Sequence, residues 1–105
     1  MRYVALSTLI NAVTFSSSME DRFKQEFEDR FIQELKAFGK RVKELRKAKG
    51  ISQLDIEVHS GIVRTEVSRI ENGLRKVEFA TIVKLALTLD VQVAELFTKK
   101  IEQDY

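Results

Sequence analysis

Between Gly61 and Gly73 the chain reads IVRTEVSRIEN, and its polar residues recur at spacings that a helix would gather onto one side. With Val63 to Asn72 helical and successive residues about 100° apart, Arg64, Thr65, Ser68, Arg69 and Asn72 fall together. That stripe donates hydrogen bonds, carries two guanidinium groups and holds no carboxylate. Val63, Val67 and Ile70 share the opposite side at the i, i+4, i+7 spacing of a core-facing stripe. Gly73 stands where a left-handed residue ends such a helix. Alone, a stripe like this reads as an ordinary solvated face, so its surroundings must decide whether it does chemistry.

The surroundings are basic. The 105 residues carry a net charge of only +2, but it is unevenly spread. Residues 19–35 hold three basic and six acidic groups, whereas residues 36–76 hold eleven basic and five acidic ones. Residues 77–105 return to an acidic balance, with three basic and five acidic groups. Positive charge concentrated around a donor-rich stripe points to a polyanionic partner. The length suits one domain with a modest core. The absence of cysteine excludes disulfides and thiolate metal sites and fits a reducing, cytoplasmic setting. One histidine, His59, and no phosphate-cradling glycine loop leave nothing to build a catalytic or metal centre on, so neither enzyme activity nor a cofactor is expected.

Helices must position the stripe. Residues 1–19 begin with a largely apolar run, YVALSTLINAVTF, too short to span a bilayer. It reads as an appendage: a strand, an arm used in association, or an extension upstream of a start at Met19. From Glu20 to Lys49 the apolar positions Phe23, Phe27, Phe31, Leu35, Phe38, Val42 and Leu45 describe an amphipathic helix, either one or two joined near Gly39. Phe23, Phe27 and Phe31 exceed the needs of a small core and serve either local packing or a dimer contact. Ser52 and Asp55 form an approximate capping box for a short helix over 53–59. Ser60-Gly61-Ile62 turns into the opening helix. A loop, LRKVE, precedes a fourth helix from Phe79 to Leu89, and a fifth is expected from Gln92 to about Ile101, burying Val93, Leu96 and Phe97.

Three fragments in this order, FGKRVKELRKAKGISQ (38–53), SGIVRTEVSRIENG (60–73) and IVKLALTLDVQVAELF (82–97), resemble the helix-turn-helix domain of phage repressors and Cro, the XRE-like family. Short transcription regulators and restriction–modification controller proteins share the pattern. The resemblance implies an all-α, five-helix domain over residues 35–98, preceded by a helical extension over 20–34 and followed by a tail over 99–105. It implies a sequence-specific regulator that binds double-stranded DNA as a homodimer on a palindromic operator. Gly61 takes the role of the turn glycine, which lets two helices meet closely. Arg64, Thr65 and Arg69, with Ser68 beside them, take positions that reach base edges. Gln53 and Asn72 take phosphate-clamping positions, and Arg46 with Glu71 takes a buried pair tying the first helix to the third.

Chemistry supports these roles. A major groove admits one helix, and guanine offers two acceptors that a guanidinium can bridge. Arg41, Lys43, Arg75 and Lys76, along with Lys40, suit phosphates, which position a protein without reading sequence. Two departures from the family pattern stand out: Glu57 occupies a position usually held by alanine, and the proline usual after the recognition helix is missing. A carboxylate at the tight helix crossing must tilt outward or find a partner. The competing reading is a protein-interaction module, such as an antitoxin-like partner, served by the phenylalanine series and the acidic flanks. No effector site is legible.

Overall fold

A computed structural model describes residues 6–98 of the protein, with side chains from Ser18 onward. Four α-helices follow one another: α1 (Leu6–Ala48), α2 (Gln53–Ser60), α3 (Arg64–Glu71) and α4 (Phe79–Leu89). A short 3-10 turn, Val93–Phe97, closes the described chain, and no strand occurs among the described residues. The chain divides into two compact units, Met1–Phe31 and Ile32–Tyr105.

In the first unit, helix begins at Leu6, so the apolar run expected as a strand, arm or extension is helical from that residue onward. Phe23 and Phe27 are exposed and Phe31 is half-buried, which rules out local packing as the reason for all three.

The second unit holds the core. Val42 of α1, Ile56 of α2, Val67 and Ile70 of α3, Leu85 and Leu89 of α4 and Leu96 of the 3-10 turn are all essentially inaccessible to solvent. Phe38, Ile62 and Ala86 complete the cluster. Each helix ends where the sequence lets the backbone turn left-handed. After α1, Gly50 (φ 69°) lets the N–H of Ile51 reach back to the carbonyl of Arg46. After α3, Gly73 (φ 70°) does the same for Leu74 and Arg69. After α4, the left-handed residue is Asp90. These paired back-bonds satisfy carbonyls that a helix end would otherwise orphan. At the start of α2, Ser52 and Asp55 cap each other reciprocally. The N–H of Ser52, and then its hydroxyl, hold the Asp55 carboxyl below its ordinary pKa. This cap therefore acts fully above the ordinary carboxylate range and is lost as pH falls through the lowered value.

Three expectations need correction. Gly39 neither breaks nor divides α1 but lies buried inside it. A Cβ there would stand 2.1 Å from the carbonyl oxygen of Ile70, so glycine is what lets α1 press on the end of α3. Val63 is not on the core stripe: it is the extended residue before α3 and is 55% exposed, while Ile62 fills the core in its place. The expected fifth helix is the 3-10 turn ending at Phe97, and Ile101 lies outside the described residues. Phe97 is not buried but 57% exposed, with its ring against that of buried Phe38 at a centroid distance of 5.1 Å.

One charged pair lies within this apolar frame. Arg46 Nε donates to Glu71 Oε2 at 2.6 Å and its Nη2 to Oε1 at 3.0 Å. The remaining Nη1 donates to the carbonyl of Ile51, and Gln53 Nε2 donates to Glu71 Oε1. The hydrogen bonds to Glu71, helped by its charge, raise the guanidinium pKa against the opposing effect of burial. Removing one partner strands the other. We expect Arg46→Ala to lose about 3–5 kcal/mol in urea unfolding, a large share of a small domain's stability. Replacing Arg46 with Met and Glu71 with Leu together should recover most of that loss.

Candidate nucleic-acid interface

The outward side of α3 is set by what its inward side buries. Val67, Ile70 and Glu71 are committed to the interior. Arg64, Thr65 and Arg69 consequently face solvent, with Ser68 half-buried beside them. Among the described residues, no side-chain hydrogen bond or ion pair engages Arg64, Thr65 or Arg69, so their donors are available to a ligand. Val63 is exposed directly before Arg64 and adds an apolar, β-branched surface at the tip of the helix. The wheel drawn from the sequence misplaced it, because that wheel began the helix one residue early.

The start of α3 has an unusual cap. Val63 cannot supply a side-chain oxygen, and none of its own caps the helix. Instead the Glu57 carboxylate, one helix earlier, accepts from the N–H of Arg64. The carboxylate that looked awkward at the helix crossing thus has its partner, and it joins α2 to α3 across the turn. Gly61 (φ 79°) makes that turn, and Ser60 supports it by donating to the Ile56 carbonyl and accepting from the N–H of Ile62. A negative side chain at a helix N-terminus is also favoured by the helix dipole.

The other residues expected at the site are distributed differently. Arg75 is brought to α3: its Nε bonds Glu66 Oε1 at 3.0 Å while the guanidinium stays half-exposed. Asn72 Nδ2 donates to the Ser68 carbonyl at 2.8 Å, closing the last turn of α3. Gln53 joins the Arg46–Glu71 group, with its amide turned to the carboxylate at 3.0 Å. Arg41 Nε holds the Glu95 carbonyl of the 3-10 turn. Lys40, Lys43 and Lys76 are exposed. No cluster of side chains suited to holding a metal occurs among the described residues, and no helix there is long and apolar enough to cross a membrane.

Residues 42–96 match the helix-turn-helix family model HTH_3. The chain is 42% identical over 60 residues to the Bacillus subtilis (strain 168) protein named uncharacterized HTH-type transcriptional regulator RghRB, covering 56% of this chain but only 43% of that one. It is 37% identical over 62 residues to the control protein C.MunI of Mycoplasma sp., covering 58% of this chain and 84% of the relative. Among solved structures, the restriction-modification controller protein C.AhdI from Aeromonas hydrophila superposes with a TM-score of 0.59 at 46% identity, covering 60% of this chain and 96% of that one.

The cap from Glu57 can be tested directly. Glu57→Ala should lower stability by about 1 kcal/mol, the usual worth of an N-cap. Glu57→Gln, which keeps an acceptor, should lose less. Thermal melts monitored by circular dichroism give the ranking.

Proposed function

The chain belongs to the XRE-type helix-turn-helix family, and from that premise we propose that it is a sequence-specific DNA-binding transcription regulator that inserts α3 into the major groove. The observation that carries this reading is the outward side of α3, where two arginines and a threonine stand exposed with no partner among the described residues. Arg64 and Arg69 bridge paired acceptors on guanine, and Thr65 and Ser68 hydrogen-bond to base edges. Val63 makes apolar contact with a thymine methyl. Lys43, Lys76 and the free edge of Arg75 neutralise phosphates, with Lys40 and Arg41 adding to the positive field. Gln53 and Asn72 use whatever donors remain beyond their internal bonds. The functional form is a homodimer on a roughly palindromic operator, acting in the cytoplasm.

Two measurements test this. Binding to an operator selected from random DNA should weaken linearly as log salt rises, with a slope of several units. A slope near zero would remove the phosphate contacts. Arg69→Ala should melt like the wild type while losing about 1–3 kcal/mol of discrimination at one base position. Uniform weakening on every sequence would place Arg69 on a phosphate instead.

A further inference from the structure

The first unit carries a feature that a DNA-reading helix does not explain. Phe23, Phe27 and Phe31 succeed one another along α1 with their rings stacked, at centroid distances of 6.4 and 5.5 Å and interplanar angles of 14° and 17°. Phe23 is 70% exposed and Phe27 54%, and Met19 extends the row by one step at 48%. This is a continuous apolar ridge at four-residue spacing on an otherwise polar helix, and it precedes the segment matched to the family, residues 42–96. Exposed apolar ridges of this kind mark association sites.

The charges beside the ridge indicate what covers it. On a helix the neighbouring four-residue rows are Glu20, Lys24 and Glu28 on one side and Arg22, Glu26 and Arg30 on the other. Both rows alternate in sign. A basic peptide, an acidic protein or an anionic membrane would call for flanks of one sign. A row of alternating sign instead complements its own copy when that copy runs antiparallel and is displaced by one turn, so that each ammonium or guanidinium meets a carboxylate. A ridge with such flanks is self-complementary, as a two-fold contact between identical surfaces requires.

We propose that the Phe23–Phe27–Phe31 ridge is a homodimer seam whose occupant is the same ridge of a second copy of this chain. The inference rests on the homodimer reading above and gives that dimer a contact outside the DNA-binding domain. Ridges at four-residue spacing interdigitate when two helices cross at about −50°, so the contact is short and centred near Phe27.

The test uses the full chain in sedimentation equilibrium. Phe23→Gln with Phe27→Gln, both compatible with helix, should raise the dimer dissociation constant at least about a hundredfold, as expected for losing two buried aromatic rings per chain. Gln25→Glu, on the opposite side of the helix, should leave it unchanged. A second pair of variants reads the flanks. Glu20→Lys/Glu26→Lys/Glu28→Lys makes both rows basic, and Arg22→Glu/Lys24→Glu/Arg30→Glu makes both acidic. Each alone should be monomeric, and an equimolar mixture should form the heterodimer. Circular dichroism verifies that each variant keeps its helix. A wild-type dimer that survives the double phenylalanine change, or a mixture that stays monomeric, overturns the seam and leaves the homodimer reading standing. A wild-type chain that is monomeric with and without DNA overturns both.

Discussion

Arg46 reaches from the last turn of α1 to Glu71 in the last turn of α3, and both carboxylate oxygens are held by it. The same guanidinium takes the Ile51 carbonyl, and the same carboxylate takes Gln53 at the start of α2. One ion pair therefore fixes three helices and the connection between two of them. Its worth lies less in net stability, since burying two charges is costly, than in direction. A bidentate fork is satisfied in one geometry only, whereas an apolar contact tolerates sliding. Hydrophobic burial holds α3 to the domain, and the pair sets where along α1 it rests. Gly39 makes that position reachable by removing the one side chain that would collide with α3's final carbonyls.

The opposite end of α3 is governed by a different carboxylate. Glu57 engages the first helical N–H, so α3 is pinned at its start through α2 and at its end through α1. Val67 and Ile70 anchor the middle. A helix of eight residues has little stability of its own in water. Held at both ends and along one side, it presents its remaining side chains on a rigid support.

Much of this was legible in the residues. The glycines at 50, 61 and 73 marked their turns because a left-handed backbone favours glycine strongly. Ser52 and Asp55 announced the start of α2, and the apolar spacing of α4 gave its bounds. The places where reading failed share a cause. Val63 and Ile62 are adjacent apolar residues at a helix start, and periodicity does not say which of them precedes the first turn. Phe97 belongs to an apolar series, but the tighter winding of a 3-10 turn rotates it away from where an α-helix would aim it. Gly39 looks like a breaker because its value lies in a contact made with residues thirty positions later. At the interface, the stripe on α3 could be drawn in advance, but the bonds engaging Gln53, Asn72 and Arg41 could not, since each depends on a neighbour brought by folding.

The cap on α3 also changes how an anion can approach it. A helix N-terminus ordinarily offers free N–H groups and a positive pole, a natural seat for phosphate. Here a carboxylate from the same chain already occupies that seat. A nucleic-acid backbone drawn to this end of the helix meets negative charge where a docking point would be expected. The tip of α3 is thus shielded against indiscriminate anchoring by the backbone, and attraction there must come from the side chains of Arg64 and Thr65, which discriminate between bases.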